Sequence, residues 1–180
     1  MIHNVIVPGI GGSEATHWQS WLQQQLMSCS RVEQQNWQQP VLQKWITEFV
    51  HGVAPIEGEL QIIAHSFGCL TTVAALMQYP QLNQKVKNLI LVAPANPIRF
   101  SQNDFSQPGQ LNLDAYFQQI TLTVPTTLLM SENDPWLNYQ DGKRLAHAWQ
   151  LEPVNLGQVG HINTASGFGP FPEIFPYLIS

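Results

Sequence analysis

Short, almost wholly apolar runs recur along the chain at residues 2–7, 60–64, 88–93 and 126–130. A strand with one wet face alternates apolar and polar residues, so runs like these belong in a parallel sheet covered on both faces. Between them lie stretches with helical periodicity. Residues 16–28 place Trp18, Trp21, Leu22 and Leu26 on one face. Val41, Leu42, Trp45, Ile46 and Phe49 mark another, with Pro40 read as its first helical position. Helices are also predicted over 67–79, stopped by Pro80, and over 138–149. A weak strand is expected at 31–33, a last strand at 153–156 and a final short helix at 171–179. This alternation, with right-handed crossovers, predicts an α/β fold: one domain over 1–180, a mostly parallel, doubly wound sheet and helices on both faces. Such sheets bind ligands beyond the carboxyl ends of their strands. Residues 95–120 break the rhythm with prolines, polar residues and four aromatics, and read as either a lid or a surface excursion docked by its aromatics.

Composition narrows the function classes. Seven basic and 12 acidic residues give a net charge of −5, with no basic stripe for a phosphate backbone, so no nucleic-acid partner is expected. The apolar runs are too short to cross a bilayer, and the first residues lack the pattern of a signal peptide, so no membrane partner and a cytoplasmic location are expected. Only 11% of residues are charged, against about 25% in a typical domain, and glutamines such as Gln23-Gln24-Gln25 read as the uncharged surface. Cys29 and Cys69 read as two reduced thiols, Cys69 as a small buried hydrophobe.

The second apolar run ends in Ala64-His65-Ser66-Phe67-Gly68 and opens a helix. This has the form of a nucleophile elbow, G-x-S-x-G, with Ala64 in place of the first glycine. The tight turn needs small residues two before and two after the serine, and it pushes the serine hydroxyl into the cleft. A serine hydroxyl is a weak nucleophile near neutral pH and needs a base, which in turn needs an orienting acid. Both are available in the order Ser, acid, His at later strand ends. Asp134 follows the 126–130 run, and His161 follows the 153–156 run in a glycine-bracketed loop.

Competitors are few. Of the other aspartates, Asp104 and Asp114 lie in the excursion and Asp141 within a helix; Glu132 is the nearest rival acid. His3, His51 and His147 are assigned to packing or surface, and His65 to a side chain pointing away from the cleft. His17-Trp18 reads as a helix start rather than a pocket wall. No histidine pair has convincing metal-ligand spacing, so neither metal nor cofactor is expected. An oxyanion would be met by the Phe67 N–H and by a second N–H from the glycine-rich loop after the first strand, for which Ile10 is selected.

Pro8-Gly9 with Gly11-Gly12-Ser13, His17-Trp18, the Ser66 elbow, Glu132-Asn133-Asp134-Pro135, and Gly160-His161-Ile162-Asn163 with Ser166-Gly167 together resemble the small serine hydrolases of the retinoblastoma-binding-protein-nine and YdeN-like type. The resemblance implies a compact α/β-hydrolase with little or no cap and a Ser66–Asp134–His161 triad. It does not extend to the family's namesake partner, because the L-x-C-x-E segment is absent.

The expected activity is hydrolysis of small carboxylic esters or related acyl compounds through an acyl-enzyme on Ser66. A thioesterase or small-amide hydrolase with the same triad is the enzymatic alternative. A catalytically weak interaction module is the alternative of another class. The expected partner is a small acyl substrate, and the chain is read as a monomer or homodimer.

Overall fold

The computed structural model describes residues 1–100 and 112–180. Six strands form one sheet: β1 (Ile2–Val7), β2 (Cys29–Arg31), β3 (Glu59–His65), β4 (Val86–Val92), β5 (Thr126–Met130) and β6 (Val154–Asn155). Their spatial order is β2-β1-β3-β4-β5-β6, and every pairing is parallel. From β1 the chain first winds outward to β2, then crosses back over β1 to β3. The order therefore reverses between β1 and β3, and the carboxyl ends of these neighbours flank the crevice where ligands bind in such sheets.

The strands carry apolar residues on both faces because both are covered. Val5, Val7, Ile62, Leu89, Leu91 and Leu128 point to one face, which is packed by α2 (Leu42–Val53), α3 (Phe67–Gln78) and α5 (Tyr139–Ala148). Ile6, Ile63, Ile90, Val92 and Leu129 point to the other, covered by α1 (Trp18–Gln25) and a C-terminal 3-10 segment, Pro172–Tyr177. α3 is buried nearly all round, which matches its uniformly apolar sequence.

Several boundaries differ from expectation. α1 begins two residues late, because His17 caps it by accepting from the Gln19 N–H, and it ends at Gln25. Pro40 precedes the cap residue Val41 and so lies outside α2 rather than at its first position. The weak strand lies at Cys29–Arg31, where parallel pairing with β1 aligns Asn4 to Cys29. The closing segment is 3-10 rather than α, interrupted by Pro176.

The excursion between β4 and β5 contains a 3-10 turn, Pro97–Phe100, and a short helix α4 (Leu113–Gln118); the remainder of the expected lid, 101–111, lies outside the described residues. The described flanks are docked on the body. Phe100 packs edge-on to Phe67, and the Trp149 indole donates to the Phe117 carbonyl at 2.9 Å. No described helix is long and apolar enough to cross a membrane.

Candidate active site

The turn from β3 into α3 places Ser66 at φ 56°, ψ −123°, a region that L-residues rarely adopt. Such a conformation costs on the order of 1–3 kcal/mol and persists only where the surroundings enforce it. Here two glycines allow the enforcing contacts. A Cβ on Gly68 would sit 2.6 Å from the Pro8 carbonyl oxygen and closer still to that of Val7. A Cβ on Gly9 would sit 2.9 Å from the Ser66 Cβ. The end of β1 is thus pressed against the elbow from one side. Ala64 stands where the elbow pattern usually has glycine, and its methyl group is absorbed into the core on the α3 face.

The structure brings Ser66, His161 and Asp134 into one hydrogen-bonded chain. His161 Nε2 lies 2.9 Å from Ser66 Oγ. His161 Nδ1 lies 2.9 and 3.0 Å from the two Asp134 carboxylate oxygens. A carboxylate only accepts, so Nδ1 carries the ring proton and Nε2 is left as acceptor for the Ser66 hydroxyl. Asp134 and His161 are both buried, and Asp134 Oδ1 also accepts the Trp136 N–H at 2.8 Å. Glu132, the rival acid, instead accepts from Asn155 on the surface.

The two loops that carry Asp134 and His161 are stitched together by groups that the sequence reading passed over. Asn133 Oδ1 accepts the Gly160 N–H at 2.8 Å, and Ser131 Oγ accepts the Val159 N–H at 3.1 Å. The segment after His161 is equally constrained. Ile162 has φ 51°, and its carbonyl accepts the Trp18 indole N–H at 2.8 Å. Asn163 and Ser166 cap a short 3-10 turn reciprocally, and Gly167 closes it at φ 92°. Gly160 leaves no room for a side chain, since a Cβ would meet that of Ser166 at 2.7 Å. The Gly-His-Ile-Asn and Ser-Gly pieces of sequence are therefore one device for holding the imidazole.

His65 is placed differently from expectation. Its ring does not turn away but lies buried under the site, between His17 and His161, with ring centroids 4.9 Å from each. Its Nε2–H donates to the His161 backbone carbonyl at 2.9 Å. Burial, reinforced by the two neighbouring histidines, holds it neutral, well below the usual imidazole range. Burial likewise lowers His17 to about 4, and His17 both caps α1 and lines the cavity beside Ser66. Gln19, also overlooked, is buried; its amide donates to the Val7 and Ile63 carbonyls, and its oxygen accepts from Ser13. The sequence signals for these two were the glycine-rich loop shortly before Gln19 and the place of His65 beside the elbow serine.

Cys69 is buried, with its thiol pushed up by desolvation, and Cys29 is raised to about 11 for the same reason. Neither is a nucleophile near neutral pH.

Among solved structures, a YdeN-like hydrolase of Pectobacterium atrosepticum superimposes with a TM-score of 0.82 at 30% identity, covering 98% of this chain and 90% of that one. The ydeN gene product of Bacillus subtilis gives 0.72 at 19% identity, covering 98% and 96%. Est1E of Butyrivibrio proteoclasticus, solved with ferulic acid, shares the fold at 0.66 and 14% identity, covering 91% and 82%. No curated protein sequence matches the chain. The sequence matches the serine hydrolase family over residues 4–180. That match takes in all of the described elements but the first two residues of β1, and the chain belongs to the serine hydrolase family, with the compact α/β-hydrolase fold of the YdeN-like proteins.

Proposed function

We propose that this protein is an esterase that cleaves small carboxylic esters through an acyl-enzyme on Ser66. The observation that carries the reading is the unbroken relay from Ser66 Oγ through His161 to Asp134, with every step at 2.9–3.0 Å. In this reading Ser66 attacks the ester carbonyl as His161 takes its proton. Asp134 holds the imidazole in the accepting tautomer and stabilises the imidazolium. His161 then returns the proton to the leaving alcohol. Water, activated by the same imidazole, releases the acid.

The negative oxygen of the tetrahedral intermediate would be received by the Phe67 and Ile10 N–H groups. Two features support this. Gly9 brings the β1 loop so close that a Cβ there would lie 3.2 Å from the Phe67 nitrogen. Neither N–H has a hydrogen-bond acceptor among the described residues. The two free thiols suit a reducing compartment, which favours the cytoplasm.

The test is covalent labelling by a fluorophosphonate, combined with turnover of p-nitrophenyl esters of increasing acyl length. Wild type should be labelled once, at Ser66, and Ser66→Ala should lose both label and turnover. Equal labelling of the Ser66→Ala protein refutes the assignment.

A further inference from the structure

Beside Ser66 lies a cavity of about 180 Å³, lined by Ser13, Glu14 and His17 together with His161, Asn163 and Thr164. Its position assigns it to one half of an ester. His161 must hand its proton to the leaving oxygen, so the leaving group departs on the His161 side of Ser66, and His161 with the loop after it lines this cavity.

Most polar groups of the wall are already engaged. Ser13 Oγ donates to Gln19, the His17 Nδ1 accepts from the Gln19 N–H, and Asn163 caps the turn that follows it. Glu14 differs. It is the one carboxylate on the wall, and no lysine or arginine shares the wall with it. The neighbouring Thr164 hydroxyl holds its carboxyl below the usual range, so it stays ionised at neutral pH. Arg31 makes no ion pair with it: that guanidinium donates to the Gly12 and Ser13 carbonyls, to Ser20 and to Gln23. No ion pair involving Glu14 exists among the described residues.

We propose that this cavity is a leaving-group subsite in which the Glu14 carboxylate selects esters of alcohols that bear a positive charge, such as a quaternary or protonated amine. The inference rests on the Ser66 esterase reading. The space accommodates a group of trimethylammonium size, and the carboxylate offers it an opposite charge. Glu14 is itself exposed, so the discrimination is modest. A pair about 4 Å apart in a largely aqueous setting favours the cation about fivefold, and salt erodes it.

The experiment compares butyrylcholine with its neutral isostere, 3,3-dimethylbutyl butyrate, by butyric acid release at low and high salt. p-Nitrophenyl butyrate and fluorophosphonate labelling report on the Ser66 machinery itself. The expected wild-type ratio of kcat/KM, cationic over neutral, is about five at low salt and falls at high salt. Glu14→Gln should bring the ratio to about one, and Glu14→Lys should bring it below one. A wild-type ratio near one, a ratio that survives Glu14→Gln, or turnover of p-nitrophenyl butyrate with none of the choline ester each overturns the subsite. Absence of label and of turnover on every ester instead overturns the esterase reading on which it stands.

Discussion

Asp134→Asn tests the relay most sharply, because the structure dictates how the new amide must sit. Asp134 Oδ1 is already committed to the Trp136 N–H at 2.8 Å. The asparagine oxygen keeps that partner, since an amide NH2 facing a backbone N–H would leave two donors opposed. The NH2 therefore takes the place of Oδ2, 2.9 Å from His161 Nδ1. A donor there opposes a proton on Nδ1, which only the amide oxygen at 3.0 Å, already shared with the Trp136 N–H, would still accept, so the ring proton shifts toward Nε2, the atom that must accept from Ser66. The wrong tautomer removes the base and leaves the rest of the site intact. The expected loss in kcat is on the order of 10⁴, about 5.4 kcal/mol of transition-state stabilisation. The measurement is kcat and KM on p-nitrophenyl butyrate, with thermal unfolding as a control. KM should change little, and the melting temperature should hold because the Trp136 bond survives. Activity within tenfold of wild type, or a larger loss from Glu132→Gln than from Asp134→Asn, refutes the reasoning.

Gly68→Ala should destabilise the fold by about 1–3 kcal/mol, because the added methyl meets the Val7 and Pro8 carbonyls at the end of β1, which is held between β2 and β3; unchanged denaturant midpoints would contradict this. His65→Phe keeps an aromatic ring, larger than the imidazole, but removes the donor to the His161 carbonyl, so kcat should fall about threefold to tenfold with KM nearly constant. A fall in KM alone, or no change in kcat, would count against that role. Acid stability follows from His17, whose folded value of about 4 lies below the unfolded 6.5. The unfolded chain then binds the extra proton first, so stability is whole above pH 6.5 and is lost as pH falls toward 4, by roughly 3 kcal/mol from this residue. His65 acts in the same direction. Urea unfolding at pH 7 and pH 4.5 measures the difference, and equal stability at the two pH values would refute it.

The two-sided apolar runs alone determined the sheet. A strand that is greasy on both faces has to be covered twice, and that demand is local enough to read from Leu89-Ile90-Leu91 or Thr126–Met130. The elbow and the order Ser66, Asp134, His161 were legible for a related reason: in a parallel sheet each strand end returns to the same edge, so residues far apart in sequence meet there. The weak edges were less legible. α1 and the 172–177 segment depend on caps and on Pro176, and their lengths were decided by packing onto the sheet rather than by periodicity. Only the tertiary structure decided what surrounds the relay. The buried place of His65, the bonds from Gln19 to two strand ends and the stitching of Asn133 to Gly160 join residues whose pairing leaves no period in the chain. A hydrogen bond constrains two groups at one distance and imposes no pattern on the residues between them. Glu14 belongs with these: its sequence neighbours show an ordinary loop, and its meaning comes from the wall it shares with Ser66 and His161.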